Sequence, residues 1–173
     1  MKNLEQIRAA NALAYADSDA KKTNSDGGNV VKKLPALIMS NGLLAAAAFA
    51  YQKQEDEINR QRKAFERRHR RKPTEQDEQA FEDNGFYTCF DYLLRHLQHP
   101  EIKLIPTEVE VRNGREPKLK QLDVLLSFLT GERANSQDLK LVTEEALAWL
   151  TYARRFIRKA TDTNGGNDDS DES

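Results

Sequence analysis

From Lys32 to Tyr51 runs the longest apolar stretch of an otherwise polar chain, and its interruptions limit what it can become. Pro35 lies near its start, Asn41-Gly42 in its middle and four consecutive alanines, Ala45 to Ala48, in its second half. Proline suits the first turn of a helix, where its missing N–H is not needed, or kinks one further in. Asn-Gly tolerates the left-handed backbone that ends a helix. The stretch is therefore expected to form one helix over Val30 to Met39 and a second from Leu43 onward. The alanines leave that second helix open to close approach by its neighbours. A run of about 18 apolar residues can cross a membrane, but this one is broken by Lys33, Pro35, Ser40, Asn41 and Gly42. Two buried helices are the expected outcome, with no membrane partner.

The rest of the chain reads as helix too. Leu4, Ile7, Ala14 and Tyr15 recur at helical spacing, giving a first helix of about four turns that ends before Asp17. Lys21 to Asn29 is polar and glycine-containing, a loop signature. No glycine or proline occurs between Leu43 and Arg71, so the third helix is expected to be long, roughly 43 Å at 1.5 Å per residue. Its second half is nearly all charge. Pro73-Thr74 then breaks the chain, with Thr74 and Asp77 spaced as a capping box and Glu75, Asp77 and Glu78 suited to a helix N-terminus. Residues 55–83 are thus expected to form a charged helical hairpin inserted into the bundle. Phe86, Phe90, Leu93, Leu94 and Leu97 line a further helix after Asn84-Gly85. Pro100 to Pro117 reads as a loop holding at most one weak strand near Ile102 to Val111. Leu119 to Leu129 makes another helix closed by Gly131, and Asn135 or Ser136 caps the last. Thr161 to Ser173, acidic and without a basic residue, is expected to be a disordered tail.

The fold class is therefore all-α: a compact bundle of six to seven helices in one domain over residues 1–160, with the hairpin as an elaboration. At 173 residues such a domain can bury a core without cross-links. The single cysteine, Cys89, rules out an internal disulfide and fits a reducing cytoplasm. Residues Met1 to Gln6 lack the apolar core of a signal peptide.

Chemical signatures are few. His96 and His99 could share a helix face, but no carboxylate or cysteine stands beside them at zinc-ligand spacing, so both read as solvated helix-end histidines. Cys89 sits in an apolar face without a basic neighbour and reads as a small buried hydrophobe. Asp123 and Glu144-Glu145 lack the Glu-x-x-His partners of a di-metal bundle and read as surface charge. No phosphate-binding glycine loop is present. No enzyme activity and no cofactor is expected.

Basic clusters are the one functional signal. With net charge −1 the chain has no global basic field, yet local patches act independently of the net value. Arg154, Arg155, Arg158 and Lys159 fall on one face of the last helix, a stripe suited to phosphates, although cations there also complement the helix dipole. Lys32-Lys33 forms a second group. A third, Arg60 to Lys72, faces Glu75 to Asp83 across the hairpin, and pairing there would consume its charge.

Three patches carry a family resemblance, over about a third of the chain. Lys33-Leu34-Pro35-Ala36-Leu37-Ile38, then Ser40-Asn41-Gly42-Leu43 and a small-residue helix toward Lys53, resembles the small helical subunit of type III-B CRISPR effector complexes, the Cmr family. Leu4-Glu5-Gln6 with Arg8-Ala9 resembles its opening helix, and Thr143-Glu144-Glu145-Ala146-Leu147 with Arg154-Arg155-Phe156 its last. The resemblance does not extend to the hairpin. It implies a non-catalytic subunit of an RNA-guided antiviral particle, packed beside a repeated backbone subunit, a large subunit and copies of itself along the guide and target RNA. Lys32, Lys33, Arg154, Arg155, Arg158 and Lys159 are the expected phosphate contacts. The alternative is a free-standing helical DNA-binding regulator, with a helix-turn-helix around Asn41-Gly42. The helix after that turn lacks the polar side chains that reading requires.

Overall fold

The computed structural model of the chain describes residues 3–18, 27–109, 117–132 and 134–162. Its helices are α1 (Leu4–Asp17), α2 (Gly27–His69), α3 (Glu75–Gln79), α4 (Gly85–Leu97), α5 (Lys120–Leu129) and α6 (Ser136–Asp162), with a 3-10 turn at Pro117–Leu119 leading into α5. Among the described residues there is no strand, and the protein is all-α. Local caps set the boundaries. Asn3 and Gln6 form a capping box on α1, and Thr74 and Asp77 form the expected one on α3. Asn84 accepts from the Phe86 N–H at 3.0 Å, and Asn135 accepts from the Gln137 and Asp138 N–H groups at 2.9 Å each.

The apolar stretch forms two helical segments of α2, broken at Gly42 as the sequence led one to expect. The first segment begins at Gly27, within the expected loop; residues 19–26 lie outside the described residues. Pro35 sits inside the helix and does not start it. The break falls on a single residue, Gly42, at φ 84° and ψ 161°. Its effect is a change of phase. Val30, Val31, Leu34 and Ile38 are buried before it, and Leu43, Ala46, Ala47, Ala50, Gln54 and Ile58 after it. An unbroken helix would turn Phe49, three turns after Ile38, toward the core. Instead Ala50 is buried and Phe49 lies partly exposed against Phe86.

Helices α2, α4 and α6 form the middle of the bundle; α1 packs on α6 and α4, and α5 on α2 and α4. Trp149 of α6 lies fully buried at the centre, with the Tyr15 ring 5.6 Å away and the His96 ring 6.1 Å away. The segment expected to hold a weak strand instead turns back on α4. Ile102 and Lys103 donate to the His99 carbonyl, and Leu104 and Ile105 to that of Leu97, which buries Ile105. Those N–H groups satisfy carbonyls at the end of a helix, so none is left to pair as a strand. Residues 110–116 lie outside the described residues.

Beyond Ile58, α2 has no buried residue, and residues 59–69 extend about 16 Å past the core. The return arm is mostly not helical: α3 spans only Glu75–Gln79, Ala80 turns out of it, and residues 81–84 lead into α4. Gln61 explains why. Its amide donates to the Glu82 carbonyl at 2.8 Å and accepts from the Glu82 N–H at 2.9 Å, taking both backbone groups that a longer helix would need. At the other end, α6 continues to Asp162, so the expected tail boundary at Thr161 falls inside it. Residues 163–173 lie outside the described residues.

Candidate nucleic-acid interface

Helix α6 separates its faces cleanly. Val142, Ala146, Trp149, Leu150, Ala153 and Ile157 are buried, while Lys140, Glu144, Thr151, Arg154 and Arg155 are exposed. Burying the apolar side at intervals of three and four forces the two arginines outward. Arg158 and Lys159 follow in the same helix, each four residues after one of them; their side chains lie outside the described residues. On α2, burial of Val30, Val31 and Leu34 likewise leaves Lys32 and Lys33 exposed. Among the described residues none of Lys32, Lys33, Arg154 and Arg155 is in an ion pair, and the helices that carry them pack together. Unpaired cations on a rigid frame suit them to polyanions.

The third cluster divides. Arg60 pairs with Glu57 of its own helix at 2.5 Å, whereas Arg62 reaches Glu78 and Arg71 reaches Asp77 across the hairpin at 2.5 and 2.7 Å. The hydrogen bonds from Arg71 and Thr74 hold the Asp77 carboxyl well below the usual range. Lys63, Arg67, Arg68, Arg70 and Lys72 are exposed and in no ion pair among the described residues. Pairing across the hairpin therefore consumes only part of its charge.

Three sequence readings need correction. His96 is not a solvated histidine, and Glu145 is not surface charge. Both are buried. Nε2 of His96 lies 2.9 Å from a Glu145 carboxylate oxygen, and Nδ1 lies 3.0 Å from the Asn11 amide. Arg8 meets the same carboxylate with two hydrogen bonds, at 2.7 and 2.5 Å. Burial alone would push the Glu145 carboxyl up, but Arg8 and His96 overcome it and hold it down at about 2. The signal for His96 was its register. It follows Cys89 by seven residues and Leu93 by three, on the buried face of α4. Asp123 is buried as well, and burial raises its carboxyl. Gln54, also missed, lies fully buried on α2; its amide donates to Asp83 at 2.8 Å and accepts from the Asn84 N–H at 2.7 Å.

Cys89 is buried as expected, and burial pushes its thiol up to about 12. Among the described residues no three His, Cys, Asp or Glu side chains are grouped as metal ligands. The half-buried Arg8 with buried Glu145 and His96 ties α1, α6 and α4 together.

Comparison with known families gives one finding. The family model described as CRISPR-associated protein (Cas_Cmr5) matches residues 4–159, from the start of α1 to the last turn of α6. No curated protein and no solved structure matches the chain.

Proposed function

Since the chain belongs to the Cas_Cmr5 family of CRISPR-associated proteins, the small subunits of type III-B effector complexes, we propose that it is a non-catalytic assembly subunit holding RNA phosphates in such a complex. The observation that carries this reading is the set of exposed, unpaired cations Lys32, Lys33, Arg154 and Arg155 on packed helices within the region that matches the family. Arg158 and Lys159, each four residues further along α6, are proposed to join them. Such groups bind the backbone of any sequence, and base pairing between guide and target supplies specificity.

In this reading the partners are the repeated backbone subunit, the large subunit, neighbouring copies of this chain, the guide RNA and its target, in the cytoplasm. The chain itself cuts nothing. A free-standing DNA-binding regulator is the weaker reading. After the Gly42 turn, Leu43, Ala46, Ala47 and Ala50 are buried in the core, and the outward positions are Leu44, Ala45, Ala48 and Phe49. None of these can donate to a base edge.

The test is purification of the tagged chain from its host at moderate salt, with mass spectrometry of the proteins and sequencing of the bound nucleic acid. A multi-protein particle holding short RNAs with a shared repeat-derived end is the expected result. Recovery of the chain alone, or with duplex DNA, would sink the proposal.

A further inference from the structure

We propose that the tip of the α2–α3 hairpin is a second phosphate-binding site, built from Lys63, Arg67, Arg68, Arg70 and Lys72 and taking a single RNA strand. The geometry points this way for three reasons. First, the tip stands clear of the body: α2 buries nothing after Ile58, and all five cations are exposed. Second, three of the hairpin's acids pair with arginines, Glu57 with Arg60, Glu78 with Arg62 and Asp77 with Arg71, so the acids left beside the tip are Glu66 and, past the turn, Glu75. The five remaining cations concentrate with Glu66 the one acid among residues 60–72. Third, the tip is rigidly held. The Phe65 ring stacks on His69 at 4.2 Å, Arg71 lies 4.8 Å over its centre, and Phe81 of the return arm packs at 6.4 Å.

Folding gives no reason for leaving these charges together. Five like charges repel one another, and exposed cations contribute little to stability. A polyanionic backbone is the partner that turns the repulsion into attraction, by releasing counterions as it docks. Lys63 and Arg67 are one helical turn apart on α2. Arg70 extends the series past the helix end through a left-handed backbone at φ 54°. Together they are spread along the tip rather than gathered at one point. The site rests on the RNA-subunit reading for the identity of its polyanion, but shares no residue with the Lys32, Lys33 and α6 set.

The experiment uses the full chain and a fluorescent single-stranded 20-nucleotide RNA, titrated between 50 and 200 mM salt. Two variants are compared with the parent: K63Q/R67Q/R68Q/R70N/K72Q for the hairpin, and K32Q/K33Q/R154Q/R155Q for the stripe. The expected hairpin result is an affinity loss of at least tenfold, with the slope of log K against log salt flattened by about 0.7 for each cation that met a phosphate. An unchanged affinity and slope in the hairpin variant, with its helical circular dichroism intact, overturns the site whatever the stripe variant does. Equal loss of binding to an acidic peptide of matched charge overturns it too, because the tip would then fit a protein. Loss in the stripe variant alone leaves the RNA-subunit reading standing and removes this one. Asn at position 70 accepts the left-handed backbone, so the variant tests charge rather than folding.

Discussion

Glu145 shows how much one side chain can hold. It receives Arg8 from α1 and His96 from α4, while its own helix carries the central Trp149. Glu145→Ala leaves two polar partners unmatched near the core and should lower unfolding free energy by about 3 kcal/mol in urea titration. Glu145→Gln keeps the volume and should cost less. The same carboxylate sets an acid limit. Its folded value of about 2 lies below the ordinary 4.5. Its contribution is therefore present above pH 4.5 and is lost as the pH falls from there toward 2. The stability difference between parent and Glu145→Gln should therefore shrink as the pH falls across that window. A constant difference would show that the carboxyl is not held down. Gly42 acts through backbone alone. A Cβ there would meet no atom within 4 Å, yet φ 84° with ψ 161° is a region nearly reserved for glycine. Gly42→Ala should cost about 1–3 kcal/mol in thermal melting without any clash.

At the scale of elements, the hairpin depends on side chains that stand in for backbone. Gln54 is fully buried and closes its base by joining α2 to Asp83, to the Asn84 N–H and, at 3.3 Å, to the Lys118 carbonyl. Lys118 reaches back to the Phe81 carbonyl and to Asp83. Gln54→Leu keeps the size but strands those groups, at about 2 kcal/mol. Because the arm lies outside the core, the change should appear first as faster hydrogen exchange over residues 75–84, with α6 still protected. If α6 loosens in step, the hairpin and bundle unfold as one unit. The Arg62–Glu78 pair is partly solvated and should couple by less than about 1 kcal/mol in a double-mutant cycle.

For the whole molecule, stability and function draw on different residues. The core is largely apolar and central; Lys32, Lys33, Arg154 and Arg155 are exposed and in no ion pair among the described residues. K32Q/K33Q/R154Q/R155Q should therefore unfold within about 0.5 kcal/mol of the parent, while retaining less RNA in the purified particle as salt rises. Equal retention at every salt concentration would separate these residues from the RNA path. The functional assignment scales in the same way. The family match runs through nearly all six helices, so it speaks for the chain as a unit and not for any single cation.

Helices and their ends were legible in the sequence because their causes are local. Thr74 with Asp77, Asn84 and Asn135 act within one turn, and the period of three and four on α6 needs no partner to be read. The exposed Lys32, Lys33, Arg154 and Arg155 followed from the same periodicity, since burying one face commits the other to solvent. What crossed between elements could not be read. Arg8 and Glu145 lie 137 positions apart, and His96 became a buried partner only when α1, α4 and α6 closed around it. The chain signalled a break at Asn41-Gly42, but packing made it a turn in phase that puts Ala50 inside and Phe49 at the edge. Likewise, the sequence set eight basic residues against the acids of the return arm. Only the path of that arm, fixed by Gln54 and Gln61, decided which were neutralised and which five were left to meet a partner.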